Sequence, residues 1–296
     1  MFARILTLLI PLFGLIIGAL ISAANGISVA TYFPNGIAIL LGVPLALFIT
    51  RLQLKESRWL LYGMTGASLA FLLATFLPIA SYGIHRWVPI GPFLLNASMI
   101  TAPILIFAVG GMSKNFGLVV IFGASAIHYL QPDAGQFTAF LVSVFAIAVS
   151  SFTIVKIWSF LVQSKFLLLF PIALIFVWKK EDPLMSVENV EMILHIAGEI
   201  GMPGYALSLA SVLLILFPFY RSAAQTRHYR GFRFSLSVAL LAYWVTTFIV
   251  TEFGNFPVPI IGAGASPVLG WYISLGLLHS QRTGSSTQTE TPSAGF

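Results

Sequence analysis

Apolar runs of about 20 residues recur along most of this 296-residue chain. A run of that length, at 1.5 Å rise per residue, matches the hydrocarbon thickness of a bilayer. Inside lipid every backbone N–H and C=O must be satisfied within its own element, which leaves helices or closed barrels. The runs are continuous rather than alternating, so the sequence predicts helices. Composition agrees: only 8% of residues are charged and 58% are hydrophobic, with a mean hydropathy of +0.96. A soluble domain needs about 25% charged residues to cover its surface. The fold class expected is all-α: a polytopic membrane bundle of about ten transmembrane helices.

The spans are placed near 4–23, 32–50, 59–81, 99–112, 116–131, 136–155, 163–178, 191–219, 234–253 and 258–280. The first could pass for a signal peptide, but another apolar run follows at once, so it is read as a retained membrane helix. Residues 1–280 form one membrane domain. Residues 281–296, rich in Ser, Thr and Gly, are expected to be a disordered tail.

The loops test this count. With the N-terminus inside, the cytoplasmic segments hold Arg4, Arg51, Lys55, Arg58, Lys114, Lys156, Lys165, Arg221, Arg227, Arg230, Arg233 and Arg282. Only Arg86, Lys179 and Lys180 fall outside. Each missed helix would invert every later loop, so this partition supports the count and puts both termini in the cytoplasm. The acids run the other way: Asp133, Glu181, Asp182, Glu188, Glu191, Glu199 and Glu252 lie outside or in outer halves of helices. The net charge of +6 is therefore a topology signal rather than a nucleic-acid footprint. No cysteine is present, which removes disulfides, thiolate chemistry and Cys-ligated metals.

Several polar residues are candidates for chemistry. Glu188, Glu191, His195 and Glu199 are spaced three, four and four apart, which would align them on one helix face. A charge at mid-membrane costs about 2.5–3.5 kcal/mol on insertion scales, so such a stripe must face the bundle or a wet cavity. Glu188 and Glu191 could instead simply be solvated at a helix start. Glu199, deeper, is expected to face the bundle and hydrogen-bond there. Arg86-Trp87 in an outer loop suggests an anionic contact such as a lipid phosphate; the alternative is an interfacial Trp beside a snorkelling Arg. Asp133 is either catalytic or the cap of the helix that follows. Lys179 and Lys180 could meet a diphosphate or be solvated at the membrane edge. Gly262, Gly264 and Ser266 interrupt the start of the last span. Irregular backbone at that depth needs protein or a wet cavity beside it, and small residues also allow close helix contact. No P-loop, metal cluster or nucleophile elbow is present.

Four stretches in order resemble the SEDS family (shape, elongation, division and sporulation). Arg86-Trp87-Val88-Pro89-Ile90-Gly91-Pro92 is similar to its R-W-I-x-L-G segment, and Gln131-Pro132-Asp133-x-Gly135 to its Q-P-D-x-G-T. Ala197-Gly198-Glu199-Ile200-Gly201 resembles its A/G-E-E-L-G. Pro257-Val258-Pro259 through Ser266 resembles its P-L-P-F-V-S-Y-G-G-S-S, with Leu275-Gly276-Leu277-Leu278 in the apolar helix after it. The resemblance implies a GT-C-type helical bundle that polymerises lipid II, a polyprenyl-diphosphate-linked sugar, into peptidoglycan during cell-shape or division growth. It implies a bacterial inner-membrane location and a class B penicillin-binding protein or divisome component as partner. On this reading Glu191 or Glu188 is the general base, while Arg86, Trp87, Lys179, Lys180 and Asp133 contact substrate. Glu199, His195, Gly262, Gly264 and Ser266 build the cavity. No cofactor is certain, and a divalent cation is conceivable.

This sequence also departs from the family pattern. The family's Q-P-S-E is Asn96-Ala97-Ser98-Met99 here, so its Glu is absent. Its catalytic Asp would align near Val190, where none stands. A non-catalytic scaffold is therefore the second reading. A third is an O-antigen-ligase-like transferase, suggested by Glu199-Ile200-Gly201-Met202-Pro203-Gly204, or a lipid flippase.

Overall fold

The computed structural model describes residues 6–52, 54, 57–77, 83–151, 169–180, 182–229 and 231–281. Over these the chain is a helical bundle with one short hairpin. The helices are α1 Ile10–Ala24, α2 Phe33–Arg51, α3 Arg58–Leu73, α4 Ala97–Gly111, α5 Lys114–Leu130 and α6 Ala134–Ser151. They continue as α7 Leu169–Trp178, α8 Ile193–Glu199, α9 Met202–Thr226, α10 Phe232–Ile249 and α11 Ala265–Ser280. Among the described residues six helical stretches are long and apolar enough to cross a membrane, and α4, α5 and α7 are shorter apolar helices. The tail from 282 and the parts of the sixth and seventh expected spans at 152–168 lie outside the described residues.

The bundle is apolar on its outside. Leu40, Leu41 and Phe48 of α2 are 76%, 59% and 60% exposed, while Asn35, Ala38, Gly42 and Ala46 of the same helix are buried. Water would penalise that arrangement and hydrocarbon accepts it, because lipid tails are as apolar as Leu. Close packing of small residues then holds helices together. α11 is the central helix, buried on nearly every side. Gly42 of α2 sits against the Tyr272 ring, Gly276 against Ala46 and Ile49, and Gly270 against the Met99 carbonyl of α4. A methyl group at any of these positions would push two helices apart. Two buried polar tips on α11 find backbone partners: Trp271 Nε1–H donates to Ile215 O (3.0 Å) and Tyr272 O–H to Leu8 O (2.7 Å).

Two expectations are corrected. The predicted span 191–219 is not one helix. It breaks at Gly201, whose φ of 91° is open to glycine and poorly tolerated by other residues, and Pro203 then starts α9. Glu188 and Glu191 therefore lie on a turn before α8, and the four-residue helical stripe does not form. Glu199, at the last position of α8, is exposed rather than turned into the bundle. The segment before the last helix is irregular as expected, so that α11 begins only at Ala265.

Candidate functional site

The connections after α3, α5, α7 and α10 gather at one end of the bundle. After α3 the chain forms a hairpin, β1 Trp87–Ile90 paired antiparallel with β2 Phe93–Asn96, in register Trp87 to Asn96. Gly91 (φ 58°) followed by Pro92, which keeps a negative φ, makes the two-residue turn, of the II′ kind. Asn96 anchors the hairpin. Its N–H donates to Ser266 Oγ (2.8 Å), and its side-chain oxygen accepts from Met99 N–H (3.1 Å), capping α4. Ser266 thus ties the start of α11 to the hairpin base.

Arg86, immediately before β1, is 4% exposed. Its Nη1 lies 2.8 Å from Asp182 Oδ2, and its Nε is 4.0 Å from Asp133 Oδ2. The guanidinium also donates to the Asn255 and Pro132 carbonyls, each at 3.4 Å. The Phe256 ring centroid is 5.2 Å away and that of Trp87 is 6.0 Å away. Arg86 is therefore not the free outer cation expected from sequence. Four connections converge on it, and protein carboxylates already balance its charge.

Asp133, 1% exposed, does two jobs. Its Oδ1 accepts from Gln136 N–H (3.1 Å), the hydrogen bond of an N-cap on α6, while Oδ2 faces Arg86. The capping reading of this residue describes its geometry. Asp182 follows α7, and its Oδ1 accepts from Leu184 N–H (3.1 Å). The Oδ2 atoms of Asp133 and Asp182 are buried ion-pair oxygens with no hydrogen bond of good geometry. Each keeps acceptor capacity for a donor entering the site.

Beside this cluster is a cavity of about 240 Å³, lined by Arg86, Asp182, Lys180, Trp178, Asn255 and Phe256 among others. Lys180 Nζ lies 5.2 Å from the centroid of the Tyr129 ring. Lys179 is exposed and does not line the cavity. Its lining is mixed, with Trp178 and Phe256 beside the charged groups.

The turn 187–192 packs against the broken segment before α11. Val258 N–H donates to Val190 O (3.0 Å), and Ala263 N–H donates to Asn189 O (2.8 Å). Gly262 is required here: a Cβ would stand 2.5 Å from Val190 O. Buried Asn35 of α2 clamps the segment from below. Its Nδ2 donates to Ile260 O (3.3 Å) and Gly262 O (3.0 Å), and its Oδ1 accepts from Gly264 N–H (2.6 Å). Tyr32 O–H donates to Ile261 O (3.0 Å), and Asn189 Nδ2–H to Thr31 Oγ1 (2.9 Å). These bonds hold Ile260 at φ 70°, a left-handed conformation that costs a β-branched residue roughly 1–2 kcal/mol.

Glu191 is half-buried, and its Oε2 accepts from Val187 N–H (2.8 Å). Burial raises its pKa from the ordinary glutamate value. The Val187 N–H and the Arg86 charge oppose that rise, and Asp182 adds to it. Glu191 therefore senses the Arg86–Asp182 pair electrostatically. Glu188 is exposed on the same turn. His195 Nε2 is 3.6 Å from Glu252 Oε2 in a partly exposed pair outside the cavity lining. Among the described residues no three His, Cys, Asp or Glu groups meet as a metal site. Between Asp133 and Asp182 it is Arg86 that occupies the position of a cation.

Sequence reasoning missed Asp182, Asn35 and Tyr32. Asp182, in Lys179-Lys180-Glu181-Asp182-Pro183, stands in the sequence only as one of the outer acids. An Asn in the first turn of an apolar span is an available signal, since a buried amide in lipid needs partners.

No family model and no curated protein matches the chain. Solved structures do. The rod-shape-determining protein RodA of Thermus thermophilus superposes with a TM-score of 0.69 at 17% identity, over 94% of this chain and 96% of that one. A point mutant of it gives 0.70 at 16% identity, over 94% and 97%. A chain of a peptidoglycan synthase complex that coordinates polymerization and crosslinking gives 0.64 at 18% identity, over 94% and 98%. At these identities the shared property is the fold: a multi-pass helical membrane bundle of the RodA kind, close to the ten helices expected.

Proposed function

We propose that this chain is a SEDS-type glycosyltransferase of the bacterial inner membrane that polymerises a polyprenyl-diphosphate-linked sugar such as lipid II. The observation that carries the reading is the Arg86–Asp182–Asp133 cluster beside a cavity at one end of a RodA-like fold. In the reaction, an acceptor-sugar hydroxyl attacks the anomeric carbon of the donor. The bond from that carbon to the diphosphate oxygen breaks, and polyprenyl diphosphate leaves with the electron pair. The hydroxyl proton passes to a carboxylate.

Glu191 and Asp182 are the two carboxylates suited to accept that proton. Glu191 has the better-matched acidity, because burial moves it toward neutrality. Asp182 lines the cavity itself. Glu188, exposed on the turn, is the weaker assignment. When the donor enters, Arg86 exchanges Asp182 for a phosphate oxygen, and Asp182 is freed for the hydroxyl; Lys180 adds a second positive charge. Trp87 and Lys179 remain proposed contacts along the substrate's path, with His195 and Glu199 at its margin. The experiment is release of polyprenyl diphosphate from lipid II by the purified protein, measured beside Asp182→Asn and Glu191→Gln. Release that both variants leave intact would remove these residues from the reaction.

The second reading is a non-catalytic scaffold for a class B penicillin-binding protein. Arg86 already neutralised by two carboxylates favours it, as does Val190 where the family pattern has Asp. Co-purification with such a partner, together with no turnover of any polyprenyl-linked sugar, would select it.

A further inference from the structure

The opposite end of the bundle holds a second cavity. α3 begins there at Arg58, α4 ends there at Gly111, and α5 restarts at Lys114. Between them lies a cavity of about 410 Å³, lined by Leu54, Arg58, Leu61, Tyr62, Phe107 and Ser113 among others. Leu54, Leu61 and Phe107 at its base are packed into the bundle and at most 3% exposed. Arg58 is the only charged side chain lining it among the described residues. Ser113 is the N-cap residue of α5; its side chain makes no capping bond, and capping would in any case use the oxygen as acceptor and leave the O–H to donate.

The depth of this cavity is marked independently. Trp59 is 86% exposed and Tyr62 is 36% exposed, in the first two turns of α3, with ring centroids 6.0 Å apart. Exposed Trp and Tyr at the start of a membrane helix settle at headgroup level. The cavity therefore combines one cation and one hydroxyl with apolar side chains at its base, at the depth where phosphates meet acyl chains.

We propose that this cavity binds the phosphodiester headgroup of an anionic phospholipid. Arg58 pairs with the phosphate and Ser113 donates to a phosphate oxygen. Leu54, Leu61 and Phe107 cover the carbons next to the glycerol. Basic pockets between membrane helices are suited to anionic headgroups for this reason. The headgroup-level depth marked by Trp59 and Tyr62 favours the lipid over a water-soluble phosphate as source. The proposal is independent of the transferase reading.

The test is native mass spectrometry of the full-length protein, delipidated in detergent and titrated with phosphatidylglycerol, phosphatidylcholine or inorganic phosphate. Phosphatidylglycerol should bind more tightly than phosphatidylcholine. Arg58→Gln should weaken phosphatidylglycerol about five- to tenfold, the worth of one basic contact, and leave phosphatidylcholine unchanged. Arg227→Gln, which removes a charge that does not line the cavity, should change neither. Arg58 is exposed, so its variant should fold; Ser113→Ala, expected to weaken binding by a smaller factor, is the second probe if it does not. Wild-type phosphatidylglycerol affinity in the Arg58 variant, or in the Ser113 variant where that is the one that folds, overturns the proposal. So does displacement of the lipid by millimolar inorganic phosphate, which would make a soluble phosphate the ligand.

Discussion

Arg86 and Asp182, 96 positions apart in sequence, meet at 2.8 Å between an Nη1 and a carboxylate oxygen, Arg86 buried and Asp182 partly so. The pair ties the segment after α7 to the base of the hairpin, and it brings Asp133 of the α6 cap into the same cluster. Breaking a buried pair by removing one partner strands the other charge. Arg86→Ala is expected to destabilise the protein by about 3–5 kcal/mol, because Asp133 and Asp182 lose their common cation. Asp182→Asn keeps shape and should cost less. Thermal unfolding in detergent separates the two; wild-type melting temperatures in both variants would show that the pair contributes nothing to the fold.

Glu191 gives a pH signature. Its folded pKa is raised by burial, so the folded state holds its proton more tightly than the unfolded state does. Between the two values the folded form binds more protons, and stability falls as pH rises through that window. Glu191→Gln removes this cost. It should melt above wild type at neutral pH, with the difference shrinking as pH falls through the carboxylate range. If Glu191 is the base, the acid limb of activity should also lie above that of an ordinary carboxylate, since activity is lost as pH falls through the raised pKa. An acid limb in the ordinary range would move the role to another group.

The clamp under the site is separable from the site. Asn35→Ala removes three hydrogen bonds to the segment before α11 and leaves buried carbonyls at Ile260 and Gly262 without that donor. The expected loss is about 2–4 kcal/mol, from one to three per stranded group with partial compensation. Hydrogen exchange should rise at 260–264 while α2 stays protected. Uniform loss of protection would mean that Asn35 holds the whole helix rather than this segment.

Much of this was legible from sequence, for physical reasons. Spans follow from apolar length, and the interruption before α11 follows from Pro257, Pro259, Gly262 and Gly264. The four motif segments were visible as stretches. What hid was long-range pairing. Nothing local marks Asp182 as the partner of Arg86: the two counter-ions of Arg86 lie two helices (Asp133) and four described helices (Asp182) further along the chain, so the sequence suggests an external anion instead. The break at Gly201 was masked by apolar residues on both sides, which let a four-residue spacing suggest one continuous stripe. The hairpin 87–96 is too short to carry an alternation, and only Gly91-Pro92 signals it.

The partition of basic residues predicts the orientation. Reporter fusions after Arg227 and after Asp182 should report opposite sides of the membrane, with Arg227 cytoplasmic. The same side for both would require a different number of crossings between α7 and the end of α9.

The most direct measurement is the product of the purified protein incubated with lipid II, run on a gel that resolves glycan strands. The account predicts a ladder of polymer from wild type that Glu191→Gln or Asp182→Asn reduces by about two to four orders of magnitude, the usual worth of a general base, while both variants still fold. A folded wild type that makes no polymer from lipid II or another polyprenyl-linked sugar, or variants that make it at the wild-type rate, would contradict the account.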